Sequence, residues 1–128
     1  MIYLDTSVVL AQLLAEDRTP PPSLWDETLV SSRLLEYELW NRLHARRLAT
    51  SHGEHAREIL QRLALLELAP PVLARALEPF PVPVRTLDAL HLASIEFLRG
   101  QRQDVELASY DAQMVAAARR LRVPVLAM

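Results

Sequence analysis

Apolar residues fall into two rhythms along this chain. Short β-favouring or apolar runs occur at Ile2-Tyr3-Leu4, at Thr28-Leu29-Val30, and over residues 65–69, 105–108 and 123–127. Each is too short for a stable helix and reads as a buried strand. Longer stretches between them carry the 3–4 spacing of an apolar helical stripe. These predict helices over residues 8–15, 34–48, 54–64, 72–77, 87–98 and 112–121. Pro20-Pro21-Pro22 ends the first helix, with Trp25 expected to anchor the following link on the core, and Pro79, Pro81 and Pro83 enforce an extended loop. Ser31 or Ser32 can cap the helix over 34–48, Thr86 the one over 87–98, and Asp111 the last. The link over 49–53 is short enough to make the second and third helices an antiparallel hairpin. Strands alternating with helices give an α/β fold: a five-stranded parallel sheet joined by right-handed crossovers.

Composition narrows the function. At 128 residues the chain makes one domain, and with 51% of it apolar it is not disordered. There is no cysteine, so neither disulfides nor thiolate metal sites are available. The N-terminal apolar run lacks a basic flank and contains Asp5, unlike a signal peptide, and no apolar run approaches the ~20 residues of a membrane span. A cytoplasmic location is expected. Net charge is −2, so any nucleic-acid contact must come from local basic residues. All 14 basic residues are arginine, and glycine occurs only at Gly53 and Gly100, which rules out Gly-rich phosphate loops.

Acids stand at four places where strands end and helices begin. Asp5 ends the first strand, Glu36 or Glu38 sits in the first turns after the second, Asp88 opens the most apolar helix, and Asp111 follows the fourth strand. In open parallel sheets this edge is where ligands bind. Each acid also has a purely local reading. Asp5 and Asp111 suit helix N-caps, and Asp88 gains from the helix dipole. Glu36 and Glu38 both flank the stripe of Leu35, Leu39 and Leu43, so helical angle does not separate them. The conjunction carries more weight. Two carboxylates ~4 Å apart repel by roughly 4 kcal/mol at an effective dielectric near 20. Converging acids therefore take up protons or a cation. All-oxygen donors suit Mg²⁺ or Mn²⁺, and the matching chemistry is metal-assisted phosphodiester hydrolysis.

With those acids placed, the chain resembles the PIN domains of VapC-type toxin ribonucleases. The matching segments are Ile2-Tyr3-Leu4-Asp5-Thr6-Ser7, Ser31-Ser32 through Glu38-Leu39, Leu87-Asp88-Ala89-Leu90-His91-Leu92-Ala93, Ser109-Tyr110-Asp111 and Val123-Pro124-Val125. They run in order along essentially the whole chain. The resemblance implies a three-layer α/β/α fold with strand order 3-2-1-4-5. It assigns Mg²⁺ or Mn²⁺ binding and RNA cleavage to Asp5, Glu38, Asp88 and Asp111, the motif's register falling on Glu38. It gives supporting roles to Ser109 and Thr6. It further implies a VapB-like antitoxin partner, lying in a groove walled by the hairpin of the second and third helices, and a homodimer. The short, proline-rich segment between strands one and two departs from the longer helix frequent in relatives.

Competing readings are weaker. Aspartyl-phosphate enzymes and receivers use a lysine, which is absent here, and the dehalogenase-type pattern wants an acid where Ser7 stands. Metal-free RNA cleavage needs a histidine pair; His91 reads as packed in the core, and His52 and His55 as surface. A PIN-like RNA-binding or RNA-processing module without a toxin role is the remaining alternative. Arg85, next to the Asp88 helix, is the candidate RNA contact, whereas Arg42, Arg46 and Arg47 read mainly as a solvated face. Tyr37 and Trp40 are candidate interface aromatics, with core packing the competing reading.

Overall fold

The structure is a computed structural model describing all 128 residues. Elements run β1 (Ile2–Leu4), α1 (Thr6–Leu14), a 3₁₀ turn (Pro22–Asp26), β2 (Leu29–Ser32), α2 (Arg33–Ala45), α3 (Ala49–Gln61), β3 (Ala64–Leu66), α4 (Pro70–Ala76), α5 (Thr86–Gly100), β4 (Glu106–Ala108) and α6 (Ala112–Arg120). The strands form one parallel sheet in the order β3-β2-β1-β4. β1 lies inside it, Ile2 opposite Leu29 on one side and Glu106 on the other.

The sheet has four strands, not the five expected. Over residues 123–127 the chain does run beside β4, but only the Leu107–Val125 bridge forms. Leu107 N–H donates to Pro124 O and Leu126 N–H donates to Leu107 O, each at 2.8 Å. Pro124 has no N–H of its own, so the ladder gains no further rung there.

Alternation along β1 divides the core into two layers. Ile2 and Leu4 join Val8, Val9, Leu35, Leu39, Leu43 and Ile59 beneath α1, α2 and α3. Tyr3 points the other way, with Leu92, Ile95, Leu107 and Met114 beneath α5 and α6. Helices thus cover both faces, which is why β1 and β2 are buried without interruption. α4 packs on α5, and Trp25 packs against the first core layer as expected.

Local chemistry sets the helix ends. Ser32 caps α2, its Oγ accepting from Leu34 N at 3.0 Å. α2 turns into α3 through Arg47, which takes a left-handed φ of 57°. α3 starts at Ala49, five residues before the expected position 54, and carries Gly53 inside it. Gly53 is accommodated because it lies against the Trp40 ring, where an added Cβ would meet Cη2 at 3.2 Å. Thr86 is the first residue of α5 rather than its cap; Arg85 holds the cap position and makes no side-chain cap bond. No helix is long and apolar enough to cross a membrane.

Candidate active site

At the carboxyl edge of β1 and β4, a cavity of about 620 Å³ opens between the starts of α1, α5 and α6 and the side of α2. Asp5, Glu38, Asp88 and Asp111 all line it. Residues drawn from four separate parts of the sequence are therefore brought to one place. Glu36 faces away, paired with Arg33 at 3.4 Å, so the structure separates the two glutamates that helical angle does not. No histidine is in the cavity wall, and α3 contributes nothing to it.

Asp5 occupies the cap position of α1 but makes no capping bond. It is 6% exposed, and its Oδ2 instead accepts from Ser7 Oγ at 2.6 Å and Ser109 Oγ at 2.9 Å. Each hydroxyl spends its proton on Asp5 and uses a lone pair on the backbone. Tyr110 N–H donates to Ser7 Oγ at 3.0 Å, and Asp111 N–H donates to Ser109 Oγ at 2.9 Å. The carboxylate is thus fixed by the chain that carries Asp111. Ser109 sits behind Asp5 rather than in the cavity wall. Asp5 Oδ1 has no protein donor.

Glu38 is held in a comparable way. Its Oε1 accepts from Thr6 Oγ1 at 2.9 Å and pairs with His91 Nε2 at 2.5 Å. His91 is 1% exposed, and its Nδ1 meets Tyr3 OH at 2.7 Å. The expected packed, hydrogen-bonded core histidine is what the structure contains. Ser7 and the contact of His91 with Glu38 were not singled out from the sequence as parts of the site.

Asp111 does two jobs at once. Its Oδ1 caps α6, accepting from Gln113 N at 2.9 Å and Met114 N at 3.3 Å. Its Oδ2 meets Arg85 Nη2 at 3.0 Å, while Arg85 Nε reaches Asp88 Oδ2 at 3.3 Å. Burial pushes the Asp88 carboxyl above the usual aspartate range; Arg85 pulls it back, and the charges of Asp111 and Asp5 add to the rise. That mutual influence is the electrostatic sign of acids facing a shared space.

No three acid or imidazole groups stand close enough to form a ready ligand set; Arg85 lies between Asp88 and Asp111. The donors fit Mg²⁺ or Mn²⁺ in kind, being carboxylate and hydroxyl oxygens with no sulfur, and such ions keep several waters of their own. Around the acids the wall carries Arg18, Arg42 and Arg85. Arg18 stacks over the Tyr110 ring at 4.8 Å and donates to Tyr110 O at 3.3 Å. Arg42, read from the sequence as part of a solvated cluster, is thus a wall residue. Of the two candidate interface aromatics, Tyr37 is 67% exposed, whereas Trp40 packs on the core beneath Arg57.

Residues 2–120 match the family model described as PIN domain. Across 128 aligned residues the chain is 31% identical to Ribonuclease VapC47 of Mycobacterium tuberculosis (strain CDC 1551 / Oshkosh), the match covering 94% of this chain and 92% of that protein. With its parallel sheet, its flanking helices and a wall of acids at the sheet's carboxyl edge, the chain belongs to the PIN domain family, and within it to the VapC type.

Proposed function

We propose that this protein is a Mg²⁺- or Mn²⁺-dependent endoribonuclease, the toxin of a type II toxin–antitoxin pair. One observation carries the reading: Asp5, Glu38, Asp88 and Asp111, from four separate parts of the chain, line a single cavity. Kinship with a protein named as a VapC ribonuclease supports the same activity.

In this reading the four carboxylates hold the divalent ion, which supplies the charge that makes water nucleophilic near neutral pH and offsets charge developing on the phosphate. Ser7 and Ser109 orient Asp5 through its Oδ2. Thr6 orients Glu38. Arg85 is a built-in counter-charge for Asp88 and Asp111 and, being mostly exposed, would be available to the RNA backbone if a cation neutralised those acids. Arg18 and Arg42 add further positive charge to a wall that also carries Glu16 and Asp17. A VapB-like antitoxin silences the enzyme by presenting an arginine of its own to the acids, a charge-assisted contact that competes with the metal. A homodimer is the working assembly, on family likeness.

Incubating the purified protein with cellular RNA tests the reading. Cleavage that leaves 5′-phosphate ends, stops with EDTA and is absent from Asp5→Asn supports it. Cyclic-phosphate ends in the presence of EDTA would contradict it. Induced expression that arrests growth supports the toxin role; unaffected growth with defined RNA trimming points to an RNA-processing module instead.

A further inference from the structure

Behind the cavity wall runs a buried polar strut that the chemistry above does not use. It starts at Tyr3 in the middle of β1, passes through His91 on α5 and ends on Glu38 of α2. Tyr3 is fully buried and His91 nearly so, in an otherwise apolar layer. Buried polar groups in such a place persist when each one is satisfied. The Tyr3 hydroxyl is neutral, since burial pushes it upward, and it hydrogen-bonds with His91 Nδ1. A carboxylate can only accept, so His91 Nε2 is the donor to Glu38.

We infer that His91 is a positioning residue for Glu38: together with Thr6 it occupies both lone pairs of Oε1, and so dedicates Oε2 to the cation. The inference rests on the proposed metal-dependent reading. The geometry makes it specific. Two donors, Thr6 Oγ1 and His91 Nε2, converge on one oxygen, and Oε2 has no protein donor. A glutamate side chain that is 23% exposed on a helix side otherwise samples several rotamers, at a cost in ordering whenever it binds. Three elements, β1, α1 and α5, hold it in one. Supporting partners of this kind set ligand orientation, and their loss weakens metal binding by about 10–100-fold.

The test is Mn²⁺ titration of the protein without RNA, followed by electron paramagnetic resonance, with thermal melting of each variant. His91→Gln keeps an N–H at the Nε2 position, whereas His91→Asn keeps one only at the Nδ1 position and His91→Leu keeps none. The expected result is Mn²⁺ affinity within a few-fold of wild type for Gln, and about 10–100-fold weaker for Asn and Leu. If His91→Leu does not fold, the Gln and Asn pair decides, both being polar and close in size. In a Glu38→Ala background the same substitutions should change nothing further. Asn and Leu binding as tightly as wild type would overturn the positioning role and leave the metal reading intact. Equal weakening by Gln, Asn and Leu would also overturn it, because a packing defect would then suffice. A wild-type protein that binds no Mn²⁺ overturns the metal reading, and this inference with it.

Discussion

Arg85 reaches from the start of α5 to the start of α6, its Nη2 3.0 Å from Asp111 Oδ2. The same guanidinium contacts Asp88 at 3.3 Å, yet it is 68% exposed. An exposed ion pair of this kind contributes little to stability, so its removal is expected to show in ligand binding instead. Arg85→Ala should bind Mn²⁺ more tightly than wild type, because a competing cation is gone. It should bind RNA more weakly, with the slope of log affinity against log salt reduced by about 1. Calorimetry without RNA and filter binding at several salt concentrations check the two arms; an unchanged salt slope counts against Arg85 as a phosphate contact.

Asp88 sets a pH dependence whose sign follows from its environment. Its carboxyl is raised, chiefly by burial, so the folded state prefers it neutral. The associated stability is fully present below the ordinary aspartate value and is lost as pH rises through the raised one. At neutral pH without metal, Asp88→Asn should therefore melt roughly 1–4 °C higher than wild type. Added Mg²⁺ should raise the wild-type melting temperature and leave that of Asp88→Asn nearly unchanged. Scanning calorimetry at pH 7 checks this, and an Asn variant less stable than wild type would contradict it.

Much of this arrangement is legible in the sequence. A three-residue apolar run stopped by Asp5 is a strand ending at a ligand edge. Asp111 after an apolar run reads as a cap, and the structure shows that cap directly, with the residue also in the cavity wall. Other features depend on contacts that periodicity does not encode. Glu36 and Glu38 flank the same stripe on opposite sides, and only the fold shows which side meets the cavity: Glu38 lines it, while Glu36 pairs with Arg33. The fifth strand has the right composition, but a single proline leaves it one bridge. The contact of Gly53 with the Trp40 ring inside α3 joins residues on two helices that the apolar pattern does not pair. His91 meets Glu38 and Tyr3 across 53 and 88 residues of chain, so sequence spacing alone does not reveal its partners.

Asp111 allows its two roles to be separated. Asn is as good a cap as Asp, so Asp111→Asn should fold with near wild-type stability and lose metal uptake. Asp111→Ala should lose both, with stability lower by about 1 kcal/mol from the missing cap. Urea denaturation alongside Mn²⁺ binding distinguishes them; full cleavage activity in the Asn variant would remove Asp111 from the site.

Ser109 connects two acids through one oxygen, donating to Asp5 and accepting from Asp111 N–H. Ser109→Ala leaves that part-buried N–H without its partner and frees Asp5 to move. A loss of about 1–3 kcal/mol in unfolding free energy is expected, with weaker Mn²⁺ binding. An alanine variant equal to wild type in both would show that the hydroxyl is incidental.

In the proposed function, four carboxylates far apart along the chain act together as one divalent-cation site. Isothermal titration of the free protein with Mn²⁺ tests it most directly, with Asp5→Asn as the comparison because Asp5 alone is buried among the four. Saturable uptake by wild type, lost in Asp5→Asn while its circular dichroism spectrum is unchanged, is the predicted result. No uptake by wild type, or equal uptake by the folded Asn variant, would mean that the four acids form no shared cation site.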